Sequence, residues 1–291
     1  MSETTLYQRE GAYIPRVAAV HDLCGYGKCS LGVAIPVLSA AGCDVCPVPT
    51  GLFSSHTAFP GWYMHDTTDM LADYLAAWKN IGVEIDAVYS GFLGAPEQVD
   101  RIRDLYAMYP AALRVVDPVM ADHGKVYPTY TPELCDAMAE LACGADILTP
   151  NLTEAAIILG EPIGEDWGGT DISDEEAHRL VDALVTKGAK HVVLKGIQRE
   201  GETCIRNFVG GVDAETVEVH NEYLPYMLHG TGDLYASCLL AAVMAGRSLE
   251  EAVRFAGDFV HDAMIVSAQQ PEFRDRGVSF EPLLGKVCEL L

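Results

Sequence analysis

The alternation of short Val- and Ile-rich runs with longer amphipathic stretches constrains this chain most. Residues 17–20, 44–50, 87–92, 114–119, 146–149 and 191–196 read as strands. Residues 30–41, 67–80, 96–109, 132–143, 152–159 and 174–187 read as helices between them. Such alternation builds βαβ units around a parallel sheet buried on both faces. After Gly196 the pattern changes. Residues 203–209 and 216–220 read as an antiparallel hairpin joined by Gly210-Gly211-Val212-Asp213. Helical stretches 233–245, 249–267 and 282–290 follow, with Ser248 expected to cap the middle one. No repeat, low-complexity segment or Pro/Gly/Ser-rich linker divides the chain, so one α/β domain over residues 1–291 is expected.

Charge narrows the partners. The chain has 19 Lys+Arg against 42 Asp+Glu, a formal net charge of −23. A surface this anionic disfavours nucleic acid and anionic membranes, which both require a cationic face. It leaves room for one small phosphate held by backbone N–H groups. Nine cysteines, an odd number in a long chain, do not form a disulfide framework. The N-terminal stretch lacks the apolar run of a signal peptide, and no stretch approaches the ~20 apolar residues of a membrane span. The expectation is a cytoplasmic protein with reduced thiols.

The most informative segment is His229-Gly230-Thr231-Gly232-Asp233, followed by the helical stretch LYASCLLAAVMAG. Glycines at a helix entry permit positive φ and turn successive N–H groups toward one point. The first turn carries unpaired N–H groups and a partial positive charge, so that point suits an anion. Asp233 beside it could take a proton from an alcohol while the N–H groups hold a transferring phosphate. An ordinary helix start, with Asp placed for the dipole, explains the same residues. The segment HDLCGYGKCS after the first strand is neither a P-loop nor a dinucleotide fingerprint: Asp22 and Cys29 break the first, and Ser30 stands in the third glycine position of the second. It is read as a loop at a strand end that lines a substrate, with a plain βα turn as the alternative. Asp117-Pro118-Val119-Met120 closes one strand, and Thr149-Pro150-Asn151 with Glu154 closes another. Carboxylates there could hold Mg²⁺ through water. Asn151 with Glu154 three residues on also has the form of a capping box. Cys43 and Cys46 are read as structural thiols, since no second pair completes a zinc site.

Together these segments resemble the pyridoxal kinase branch of the ribokinase-like superfamily, from about residue 17 to 267. The matching stretches are GYGKCS, GLFSSHT, YSGFLG, VDPVMADHGKVY, ADILTPNLTEA, VVLKG and HGTGDLYAS. The resemblance implies a three-layer α/β/α fold whose largely parallel central sheet carries helices on both faces. It implies an ATP- and Mg²⁺-dependent kinase for the 5′-hydroxyl of a B6 vitamer (pyridoxal, pyridoxamine or pyridoxine), and a homodimer. It makes Asp233 the catalytic base and Gly230, Thr231 and Gly232 the anion hole. Thr149, Asn151, Glu154 and Lys195 fall where nucleotide phosphates are handled. Asp117 and Glu154 fall near the metal. Phe53, His56, Thr57 and Phe92 line the substrate pocket. Asp122 belongs to the segment 121–127, read as a flap. Two departures stand out. His21 or Asp22 replaces a serine that contacts the pyridine ring, and Lys195 replaces a small hydroxyl residue of some members. A hydroxymethylpyrimidine kinase on the same scaffold, and a non-catalytic vitamer-binding protein, are the alternatives.

Overall fold

The computed structural model describes residues 4–162 and 172–291. In chain order it runs β1 (Arg16–Cys24), α1 (Leu31–Ala40), β2 (Asp44–Phe53), β3 (Met64–Asp66), α2 (Thr68–Ile81), β4 (Ala87–Ser90), α3 (Pro96–Met108) and β5 (Leu113–Val116). It continues with β6 (Ala121–Asp122), β7 (Lys125–Val126), α4 (Pro132–Ala142), β8 (Ile147–Leu148), α5 (Leu152–Leu159), α6 (Asp174–Lys187), β9 (His191–Gln198), β10 (Cys204–Gly211) and β11 (Ala214–Glu222). The last elements are α7 (Thr231–Met244), α8 (Leu249–Ser267), α9 (Phe273–Arg276) and α10 (Leu284–Cys288). The chain divides into two compact units, residues 1–113 with 224–291, and residues 114–223.

In the first unit β1 pairs in parallel with both β2 and β4, and β3 runs antiparallel along the far side of β2. Val17, Ala18, Ala19 and Val20 are all buried, as a strand between two others inside an α/β core requires. Helix α7 packs against α1 and α8, and every residue from Leu234 to Met244 is buried. That explains its composition: Ala, Leu and Met all round, with no polar face. The expected cap at Ser248 is present as a capping box with Glu251.

In the second unit β5, β8 and β9 are parallel, and β10 and β11 continue the sheet antiparallel. The expected hairpin forms, but its turn is shorter. Gly210 and Gly211 still belong to β10, and only Val212 and Asp213 (φ 59°) lie between the strands. Gly210 is needed for packing. A Cβ there would fall 2.4 Å from Val181 of α6 and 2.6 Å from Thr216 Oγ1.

Other elements differ from expectation as well. β1 runs on through His21-Asp22-Leu23-Cys24, so those residues are strand and not loop. They stay in register with β2 as far as Cys24 opposite Phe53, with one irregularity between His21 and Leu23. The short β3 has no apolar alternation to mark it. The segment 121–127 contains a small hairpin, β6–β7, whose tip is His123 (φ 48°) and Gly124 (φ 74°). Positive φ at both positions is the geometry of a two-residue hairpin turn. Among the described residues no helix is long and apolar enough to cross a membrane.

Candidate active site

In the first unit, the entry to α7 has the geometry its glycines suggested. Gly230 is the N-cap, in the left-handed region at φ 81°. A Cβ at this position would lie 1.8 Å from the Lys28 carbonyl oxygen, so the β1–α1 loop and the start of α7 meet backbone to backbone. Thr231 begins the helix and its hydroxyl donates to Leu228 O at 3.1 Å. Gly232 and Asp233 follow in the first turn, where main-chain N–H groups have no acceptor within the helix itself.

Asp22 and Ser30 lie near this point, and sequence reasoning missed the second. The Ser30 hydroxyl donates a short hydrogen bond to Asp22 Oδ1, and both residues are buried. Ser30 caps α1 at φ 51°, ψ −128°, a conformation that glycine favours. Its place in the third glycine position of a failed motif was the available signal. Burial pushes the Asp22 carboxyl up to about 6, against the Ser30 hydroxyl and a backbone N–H that favour the charge. The sign follows from linkage. Below the ordinary value of 3.8, folded and unfolded chains both hold the proton. As pH rises through about 6, the folded protein must bury a charge, and stability is lost. Asp22→Asn should therefore match wild type in urea unfolding near pH 4 and exceed it by roughly 2–3 kcal/mol at pH 8. Equal unfolding free energies at both pH values would show that the Asp22 charge costs nothing.

His21 is fully buried, and neither ring nitrogen has a hydrogen-bond partner among the described residues. Its ring stands edge-on to Tyr89, 4.3 Å between centroids, and burial holds it neutral. A Cβ at Gly91 would fall 2.2 Å from His21 Nδ1, so residue 91 has to be glycine beside this ring. Phe53 and Phe92 form a buried T-shaped pair at 5.6 Å, with Trp62 against Phe53 at 5.7 Å. His56 is buried and already engaged. Its Nδ1 accepts from Ala58 N at 3.3 Å, so Nε2 carries the proton that donates to Asp275 O at 2.7 Å. Thr57 is exposed. A cavity of about 380 Å³ opens beside Lys28, Phe273, Arg276 and Glu281, and none of the sequence-derived candidates lines it.

In the second unit, Asp117 follows β5 and is fully buried. Its Oδ1 accepts from Thr149 Oγ1 at 2.9 Å and from Lys195 Nζ at 2.5 Å. Its Oδ2 is buried without a hydrogen-bond partner among the described residues. The Thr149 hydroxyl is thus spent on Asp117. Asn151 and Glu154 form the expected capping box on α5: Glu154 N donates to Asn151 Oδ1 at 2.9 Å, and Asn151 N donates to Glu154 Oε2 at 2.8 Å. Asn151 Nδ2 also donates to Ala121 O at 2.8 Å, and Gly124 N donates to Thr153 Oγ1 at 2.9 Å. The 121–126 hairpin is therefore tied to the first turn of α5. Burial pushes the Glu154 carboxyl up to about 8, with Asp117 and Asp122 adding to the push and Lys195 opposing it. Asp117, Asp122, Glu154 and Lys195 thus form one interacting charge cluster.

The family model for phosphomethylpyrimidine kinase matches residues 36–275. The chain belongs to the phosphomethylpyrimidine kinase family. The pyridoxal kinase PdxY of Haemophilus influenzae strain PittEE is 32% identical over 259 residues, covering 81% of this chain and 83% of that relative. Among solved structures, a Bacteroides thetaiotaomicron protein crystallised with pyridoxal superposes with a TM-score of 0.88 at 33% identity, over 94% of this chain and 96% of that one. The pyridoxal kinase of Lactobacillus plantarum superposes with a TM-score of 0.86 at 28% identity, over 96% and 98%. The three-layer α/β/α class with a mostly parallel sheet, expected from the sequence, is the fold of this phosphomethylpyrimidine kinase family member.

Proposed function

We propose that this chain transfers the γ-phosphoryl group of ATP to the 5′-hydroxyl of pyridoxal, pyridoxamine or pyridoxine. The observation that carries the reading is the entry to α7: a left-handed Gly230 followed by a first turn whose N–H groups lie outside the helix's own hydrogen-bond ladder, with Asp233 within that turn. Asp233 takes the proton from the attacking hydroxyl, and the N–H groups of Gly230, Thr231 and Gly232 stabilise charge on the transferring phosphoryl. His21, Asp22, Phe53, His56, Thr57 and Phe92 are assigned to the vitamer, with the aromatic pair as the apolar wall. Asn151, Glu154, Lys195 and Thr149 are assigned to the nucleotide phosphates, Thr149 acting through Asp117. Phosphoryl transfer needs positioning and charge stabilisation more than covalent help, and these residues supply both. The relatives' names and the pyridoxal-bound neighbour support this substrate class.

Asp117 and Glu154 fit Mg²⁺. The buried, unpartnered Asp117 Oδ2 is the type of oxygen such an ion takes, and Mg²⁺ commonly uses one or two carboxylates while keeping its waters. Among the described residues no group of three or more His, Cys, Asp or Glu is placed to hold a metal. When bound, it neutralises phosphate charge. Glu154→Gln should raise the Mg²⁺ concentration for half-maximal rate several-fold, measured by Mg²⁺ titration at saturating ATP. An unchanged titration leaves Glu154 with its capping role alone.

The family name favours a second reading, a hydroxymethylpyrimidine kinase. A non-catalytic vitamer carrier is disfavoured, because a carrier needs no base beside an anion hole. A coupled ADP-release assay with each vitamer and with hydroxymethylpyrimidine separates the three. Turnover only with the pyrimidine supports the second reading, and tight vitamer binding without turnover supports the third. A homodimer and a cytoplasmic setting belong to the same proposal, the first tested by sedimentation.

A further inference from the structure

Thr50 stands one residue before the GLFSSHT stretch, at an irregularity in β2. His21 pairs with Pro49 and Leu23 with Leu52, so β2 spends three residues where β1 spends two. In a regular strand side chains alternate, and residues 50 and 53 would point to opposite faces. An extra residue re-aims the side chains around it, and here both turn toward residue 92. The Thr50 hydroxyl donates to Phe92 O at 2.8 Å, and the Phe53 ring meets the Phe92 ring edge-on. Thr50 is fully buried, and both phenylalanines are buried with it. Valine has the same shape and suits a buried strand at least as well, so what threonine adds is the bond to that carbonyl.

Thr50 is itself held by Gln98, a fully buried residue in the first turn of α3. Gln98 Nε2 donates to Thr50 O at 2.8 Å and to Thr68 Oγ1 at 2.8 Å. Gln98 Oε1 accepts from Gly94 N at 2.8 Å. Thr68 opens α2, and its hydroxyl donates onward to Asp66 Oδ1 at 2.6 Å. The loop after β4 is thus pinned along its length. Gly91 N donates to Val20 O at 3.0 Å, Phe92 O takes the Thr50 hydroxyl, and Gly94 N takes Gln98. This loop leaves the carboxyl end of a parallel strand, the place where such sheets bind ligands. Thr50 acts on residue 92 directly, from a strand whose own position Gln98 fixes.

We propose that Thr50 is a positioning residue for the acceptor ring: its hydroxyl fixes the Phe92 carbonyl and so holds the Phe92 ring against Phe53, which sets the apolar wall that receives the vitamer. Thr50 touches no substrate atom in this account. It acts through Phe92, and its loss lets the loop at residue 92 drift while Asp233 and the entry to α7 stay as they are. The wall serves the bound ring equally before and during phosphoryl transfer. Loosening it therefore raises KM for the vitamer and leaves kcat in place. A purely structural role has a different signature. It lowers the amount of folded enzyme, which reduces apparent kcat and leaves KM unchanged.

The placing of Phe92 stands independently of the proposed function; its effect on the vitamer rests on it. The full-length protein and its Thr50→Val and Thr50→Ser variants are assayed for vitamer-dependent ADP release, and the valine variant is crystallised. Thr50→Val should raise KM for the vitamer roughly tenfold, the weight of one buried hydrogen bond, with kcat and KM for ATP within about twofold of wild type. Thr50→Ser keeps the hydroxyl and should restore KM to near the wild-type value. The crystal structure should show the Phe92 ring displaced from its edge-on contact with Phe53. If valine does not fold, Thr50→Ala, which leaves room for water at Phe92 O, is measured in its place. Phe92 unmoved in the variant overturns the positioning role, whatever the kinetics do. A displaced Phe92 with unchanged KM, a fall confined to kcat, or a serine variant as impaired as valine overturns the link to the acceptor ring. A wild type that phosphorylates no vitamer refutes the kinase reading, and the crystal structure still decides whether Thr50 places Phe92.

Discussion

Asp233→Asn should lower kcat by roughly 10²–10⁴-fold, the range in which a general base acts. Asp233 sits in the first turn of α7, behind the left-handed Gly230 and beside the backbone N–H groups proposed to receive the phosphoryl. Asparagine has almost the same shape and keeps an oxygen, so the helix entry is not disturbed. What it lacks is the ability to take a proton. Losing one negative charge from the first turn of a helix costs about 0.3–1 kcal/mol, too little to unfold the chain. The variant should therefore unfold in urea close to wild type and still bind vitamer, while the coupled assay falls. If kcat stays within threefold, Asp233 is not the base.

Gly230→Ala should be the most damaging single-methyl change in the first unit. The substitution meets two obstacles at once. A residue with a Cβ pays about 1–2 kcal/mol to hold left-handed φ, and φ here is 81°. The new methyl would also lie 1.8 Å from Lys28 O and 2.9 Å from Lys28 C, which are backbone atoms with no rotamer to escape into. Overpacking of this kind costs roughly a further 1–3 kcal/mol. Relief requires the β1–α1 loop to move off α7, and the anion hole moves with it. The expectation is a clear fall in thermal stability and at least a hundredfold loss in kcat. Gly232→Ala is the control. Nothing lies within 4 Å of a Cβ there, and alanine inside a helix is favoured over glycine by about 1 kcal/mol. It should leave stability unchanged or improved, and lower kcat only through contact with the phosphoryl group. Equal stability loss in both variants would show that the Gly230 contact is not what holds this entry.

Much of this was legible in the sequence because parallel sheets leave a strong trace. A strand buried on both faces must be apolar throughout, and its following helix must be amphipathic, so residues 17–20, 87–90 and 191–194 announced themselves. The end of β1 did not. His21 and Asp22 are polar, and only the tertiary structure shows that they stay in the sheet and are buried. β3 is three residues long and polar, so neither periodicity nor propensity could find it. The helix entries at Asn151, Gly230 and Ser248 were legible because caps are local. Pairings distant in sequence were not: Lys195 on Asp117, His56 on Asp275 and Lys28 on Glu281 join segments whose types gave no hint of one another.

Ser30 carries a lesson for anyone stabilising this enzyme. A protocol that scans for non-glycine residues at positive φ would select position 30 and offer glycine. The substitution would relax the backbone, and on backbone strain alone it would be accepted. It would also leave Asp22 without its hydroxyl donor in a buried place, a few residues from the loop that supports the anion hole. The position is thus one where backbone strain and a buried hydrogen bond pull in opposite directions. Libraries built for thermostability should hold it fixed.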